Sequence, residues 1–110
     1  MKHKIVLVPF PFDDYSSTKV RPAVCLTSKI GNYNHIVIAF ITSQNPKDTT
    51  DTDITLDKSD ETGLKVKSFI RLHRLTTIPY DLIQRQLGQL PKNKEDELEQ
   101  KLKTLFGINK

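Results

Sequence analysis

Two arginines, a threonine and a histidine stand in this chain where phosphate chemistry could use them. Arg21 precedes Pro22 at the entrance to an otherwise apolar stretch, "VRPAVCL". Its guanidinium is permanently charged and presents a planar fork of donors that suits two oxygens of one phosphate. In "ITSQN", Ile41 to Asn45, hydrogen-bonding side chains close a second apolar run. In "SFIRLHRL", strand alternation puts Ile70 and Leu72 on one face, and Arg71 and His73 side by side on the other, an exposed surface if the aliphatic face is core. An arginine, a hydroxyl and an imidazole would together grip a phosphate and exchange a proton. Each also has an ordinary alternative. Arg21 could pair with Asp13 or Asp14 in the preceding loop, Thr42 or Ser43 could bond the backbone of an Asn-Pro turn, and Arg71 and His73 could form a solvated strand face.

The elements that must position these groups are short and mostly β. "KIVLVPF", "VRPAVCLTS", "HIVIAFITS" and "KSFIRLHRL" are rich in β-branched and aromatic residues and read as strands, with "TDITL" as a weaker fifth. Turn-rich pieces separate them, and Gly63 marks a turn in "DKSDETGLK". This pattern predicts a small, strongly bent antiparallel sheet or barrel rather than repeated βαβ units. Pro22 makes Arg21-Pro22 an extended strand entry, on an edge or at a bulge. After Pro91 a helix is expected, capped by Asn93, with Glu95, Asp96 and Glu97 in its first turn and Lys101 and Lys103 later, as the helix dipole favours. Leu98, Leu102, Leu105 and Phe106 form its apolar stripe, and Gly107 is its stop. Between Tyr80 and Leu90, "YDLIQRQL" reads as a short helix or "IQRQLGQL" as a last strand broken at Gly88.

Bulk properties narrow the class. The 110 residues suffice for a single domain, 1–110, with one modest core. A net charge of +4 leans weakly towards an anionic partner. Cys25 is the only cysteine, so no internal disulfide can form, and a reducing cytoplasm is expected. Pro9 and Pro11 cut the first apolar run shorter than a signal peptide needs, and no later run approaches the roughly 20 residues of a membrane helix. His3, His35 and His73 lack metal-site spacing, so a metal-free mechanism without cofactor is expected.

In this order, "IVLVPFPF", "KVRPAVCL", "IVIAFITSQ", "FIRLHRLTTI" and "GQLPKNKEDELEQKLKTLFGI" resemble the MazF/PemK family of toxin endoribonucleases from type II toxin–antitoxin pairs. The resemblance runs nearly end to end. It implies a homodimer of small SH3-like barrels with a C-terminal helix, cutting single-stranded RNA without a metal. The 2′-hydroxyl would be the nucleophile, leaving a cyclic phosphate and a 5′-hydroxyl end. By the same resemblance the catalytic groups fall on Arg21 and Thr42, with Arg71 and His73 in the segment that reads R-x-D in the PemK branch. RNA contacts are expected from Phe12, Asp13, Asp14, Tyr15, Lys19, Ser43, Gln44 and Arg74, with Phe12 and Tyr15 either stacking on bases or pinning their loop to the barrel. Asp13 and Asp14 rival His73 as the base. The chain departs from the family pattern in three places: His73 stands for an acid, His3-Lys4 for the usual Gly-Asp or Gly-Glu, and Thr76 for a common arginine. Between Arg71 and Arg74 an imidazole is pushed towards the neutral form that accepts a proton. The alternative is a non-catalytic module on the same barrel, similar to CcdB-type gyrase poisons or to a PemK-like protein that binds RNA and no longer cuts it.

Overall fold

The computed structural model describes residues 1–9 and 19–109. Six strands follow in chain order: β1 (Lys4–Pro9), β2 (Val20–Cys25), β3 (His35–Thr42), β4 (Asp53–Leu56), β5 (Ser68–Pro79) and β6 (Arg85–Gln89). One helix, α1 (Lys92–Phe106), ends the chain, and a 3-10 turn at Tyr80–Leu82 precedes β6. The stretch after Pro79 therefore carries both of the structures its sequence suggested. All pairings are antiparallel, in the order β4-β5-β3-β2-β1-β6.

Strand alternation makes both faces of the sheet apolar. Ile5, Val24, Ala39 and Ile41 point to one face, where they join Ile54 and Leu56 of β4, Ile70 and Leu72 of β5, and Leu98 of α1. Residues one position away, Val6, Val8, Ala23, Cys25, Ile36 and Ile38, build a second cluster on the other face. Strands as distant in the order as β4 and β1 share the first cluster, so the sheet curls into a barrel wall around it. Burial pushes the Cys25 thiol up to about 11, which leaves it an unreactive packing group.

The two edges of the curled sheet are joined by the loop that follows β4. Its Glu61 carbonyl accepts a 2.9 Å hydrogen bond from the Gln89 amide, and Gly63 lies against Leu87, both in β6. A bulge in β6, where Ile5 faces Gly88 and Val6 faces Gln86, shapes that edge. Pro22 lies in an interior strand, paired to β1 along its length but to β3 only from Ala23 onward. The missing amide of proline thus falls where the β3 ladder has already ended.

Helix α1 starts two residues earlier than its sequence suggests. Pro91, extended at φ −61° and ψ 148°, is the N-cap residue and makes no side-chain cap; Asn93 lies inside the first turn. The fixed φ of proline already prepares the chain for helix, so no asparagine cap is needed. Gly107 closes it at φ 71°. Leu98 is fully buried and Leu102 packs on the same cluster, whereas Phe106 is 62% exposed and does not continue the stripe into the core. Lys2 and His3 bind the helix from the N-terminus: the Lys2 ammonium is 3.0 Å from Glu99, which it holds below the usual carboxylate range, and the His3 ring lies 3.6 Å from both Glu95 and Glu99. His3 has φ 73°, the left-handed conformation that glycine adopts freely and other residues only at a cost. Among the described residues no helix is long and apolar enough to cross a membrane.

Strand β5 corrects one expectation outright. Ile41 pairs with Ile70, yet Ala39 pairs with Leu75, so β5 carries extra residues between these points. Simple alternation fails across such a bulge, and Arg71 and His73 do not share an exposed face. Arg71 turns into the protein opposite Asp53 of β4, with side-chain exposures of 9% and 10%. Its Nε donates to Asp53 Oδ1 at 2.9 Å, and the same carboxylate accepts the Thr50 amide through Oδ2 at 2.9 Å. Asp53→Ala would leave the buried guanidinium with only the exposed Asp48 as its partner and is expected to lower the unfolding free energy by about 1–3 kcal/mol. Urea denaturation of the variant checks this, and a loss under about 1 kcal/mol would mean that water replaces the carboxylate.

Candidate active site

At the mouth of the barrel, where the β4–β5 loop meets β6, lies a cleft of about 490 Å³. Its apolar lining comes from Leu7, Pro22, Ile41, Leu64 and Leu87, the last residues of the inner face before solvent. Its polar lining comes from separate elements: Arg21 from β2, Thr42, Ser43 and Gln44 from the end of β3, Lys65 and Ser68 from the segment entering β5, and Arg85 from β6. Among the described residues no aspartate or glutamate lines the cleft, whereas Arg21, Lys65 and Arg85 do.

The end of β3 gives Thr42 a defined role. Its Oγ1 accepts a 3.2 Å hydrogen bond from the Gln44 amide, the backbone contact its sequence allowed. That bond uses a lone pair and leaves the hydroxyl proton to donate elsewhere. Thr42 and Gln44 also line a neighbouring hollow of about 330 Å³ with Lys47, Asp48, Arg71 and Arg74. The two hollows thus form one continuous cationic surface that turns around Thr42.

Of the sequence-predicted residues, Arg21, Thr42, Ser43 and Gln44 come together in the cleft, while Arg71 and Arg74 line the hollow beside it. His73 lies exposed on the β5 bulge and lines neither. Lys19 is exposed ahead of β2 and also lines neither. Phe12, Asp13, Asp14 and Tyr15 lie outside the described residues. Sequence reasoning missed Lys65, Ser68 and Arg85. The first two sit in a turn-rich stretch and at a strand start, and Arg85 in a segment whose structure was open, so none had a local signal. Among the described residues no three His, Cys, Asp or Glu side chains converge as a metal ligand set would.

Comparison with known proteins gives the arrangement its context. Among curated proteins no sequence matches the chain. Solved structures share its fold at low identity. The toxin MazF-mt6 of Mycobacterium tuberculosis superposes with a TM-score of 0.76 at 22% identity, over 97% of this chain and 99% of that one. An endoribonuclease from a mycobacterial species, solved in complex with its cognate antitoxin, gives 0.75 at 13% identity, over 100% and 97%. A further mycobacterial endoribonuclease gives 0.74 at 13%, over 100% and 93%. A sequence-family match over residues 2–106 goes beyond fold: this chain belongs to the PemK-like, MazF-like toxins of type II toxin–antitoxin systems.

Proposed function

We propose that this toxin cuts single-stranded RNA without a metal, by attack of the 2′-hydroxyl on the adjacent phosphate to give a cyclic phosphate and a 5′-hydroxyl end. The observation that carries the reading is the meeting of Arg21 with Thr42, Ser43 and Gln44 in one cleft that Lys65 and Arg85 also line. Arg21 stabilises charge on the five-coordinate phosphate, since its fork stays charged and can hold two oxygens. Thr42, with its lone pair already engaged, donates its proton to a phosphate oxygen and orients it. Lys65 and Arg85 draw the strand in through the positive field they set at the cleft. Arg71, committed to Asp53, supports the wall of the hollow rather than the reacting phosphate.

Proton transfer is assigned to His73, reached by a strand that leaves the cleft past Thr42 and Gln44. Its distance from the cleft lining favours one second reading, a barrel that binds RNA and does not cut it. A cognate antitoxin would inactivate the toxin by laying an acidic segment across the cationic cleft, as the family relationship suggests. The active form is taken to be a homodimer in the cytoplasm.

Three measurements test these assignments. Arg21→Ala should fold normally and cut a long RNA about 10²–10³-fold more slowly in the presence of EDTA; a rate near wild type removes arginine from the mechanism. Single-turnover cleavage followed across pH should change in His73→Gln, which removes the group assigned to accept the proton. An unchanged profile in His73→Gln, with loss of cleavage when Asp13 and Asp14 both become asparagine, would move the base to the loop. Light scattering at micromolar concentration should report twice the chain mass, and a strict monomer would count against a shared groove.

A further inference from the structure

The hollow beside the cleft contains one more carboxylate than its buried charge requires. Arg71 already has a full partner in Asp53, at 2.9 Å and equally buried. Asp48 nevertheless reaches another nitrogen of the same guanidinium: Arg71 Nη2 donates to Asp48 Oδ1 and to the Asp48 carbonyl, each at 3.3 Å. Two carboxylates on one guanidinium leave a net charge of −1. The Asp48 side chain is 84% exposed, so its place at Arg71 is open to exchange with solvent or with another anion. A hydrogen bond from its own backbone amide, then the Arg71 charge and donor, hold its carboxyl below the usual range. A persistent anion therefore sits in the middle of an otherwise cationic surface, next to Lys47 and Arg74.

We propose that Asp48 is a built-in competitor for substrate: its carboxylate occupies the seat of an RNA phosphate at Arg71, and a strand running from the cleft past Thr42 and Gln44 displaces it. The inference rests on the RNA reading above. Exchange of a carboxylate for a phosphodiester conserves charge, since each carries one negative charge, and no covalent bond changes. Arg71 keeps Asp53 throughout, so the guanidinium stays oriented while its outward donor changes partner. A dinucleotide that fills only the cleft leaves Asp48 in place. Longer strands must open the contact and bind more weakly than their charge would give, so the toxin carries an intrinsic brake on extended substrate.

The test compares Asp48→Ala with Asp51→Ala, which removes an equal charge from an exposed position further along the same loop. Binding is read by fluorescence anisotropy with two 2′-O-methyl probes that cannot be cut. One is a dinucleotide; the other has about eight nucleotides, within the usual site size of a small single-strand-binding barrel. Asp48→Ala should bind the longer probe about five- to tenfold more tightly than wild type. It should leave dinucleotide affinity unchanged, and Asp51→Ala should change neither by more than about twofold. Urea denaturation of each variant confirms that the Arg71–Asp53 pair still holds the fold. Equal gains in the two variants would reduce the effect to general charge and overturn the proposal, as would a gain on the dinucleotide or none on the longer probe. Wild type binding RNA while Asp48→Ala gains nothing sinks this inference alone; failure of every form to bind either probe sinks the RNA reading and this inference with it.

Discussion

The cleft exists because two backbones touch where no side chain can intervene. A Cβ on Gly88 would lie 2.2 Å from the Glu61 carbonyl oxygen, and one on Gly63 would lie 2.3 Å from that of Leu87. Gly63 also has φ +76°, which other residues adopt only at a cost. This contact seals the gap between the edge strands β4 and β6 and sets Lys65 across from Arg85. The loop reaches it already shaped. The Ser59 and Thr62 hydroxyls lie 3.1 Å apart, Ser59 Oγ accepts the Thr62 amide at 3.1 Å, and Thr62 Oγ1 accepts the Leu64 amide at 3.1 Å. Thr62 is buried, and each of these bonds removes freedom the loop would otherwise lose on closing.

Charge on the molecule is sorted by the same closure. On α1 the acids are matched locally: Glu97 lies 3.3 Å from Lys94 and 3.0 Å from Lys101, and Glu99 lies 3.0 Å from Lys2. Lys101 also donates to the Asp53 carbonyl at 2.7 Å, tying the helix to the strand that holds Arg71. Fields from such close opposite pairs cancel within a few ångströms, whereas Lys65 and Arg85 face a cleft that no acid lines among the described residues. A net charge of only +4 is therefore a poor guide to the local potential, because the neutral balance of the helix hides the excess at the barrel mouth.

What could be read in the sequence follows the range of the forces involved. Alternation, proline placement and the glycine stop are local, so the strands, the Arg21-Pro22 entry, the Thr42 turn contact and the end of α1 were legible. Arg71 was not, because the extra residues in β5 reset its alternation, and nothing in "SFIRLHRL" announces a bulge. Nor was the partnership of Arg71 with Asp53, which lies 18 residues away in the weakest strand. Lys65 and Arg85 acquire meaning only when the edge strands are sealed, a consequence of glycine contacts between segments remote in sequence. The Asn93 cap was misplaced for a different reason: the helix starts directly after Pro91, with no side-chain cap.

An apolar floor makes the cationic rim more effective than its charge count suggests. Ile41 and Leu64 belong to the barrel core and Leu87 packs against it, so with Leu7 and Pro22 beside them the cleft is a place where the low-dielectric core reaches the surface. A phosphate lodged there would exchange part of its water for fixed donors, and attraction between unlike charges strengthens as the surrounding dielectric falls. Arg21 and Thr42 start from backbone positions at strand ends that the sheet already fixes. The floor also limits what can bind. A phosphate without a sugar or base to cover the leucines would leave apolar surface wet, so cleft chemistry and cleft packing both favour a nucleotide strand over a free anion.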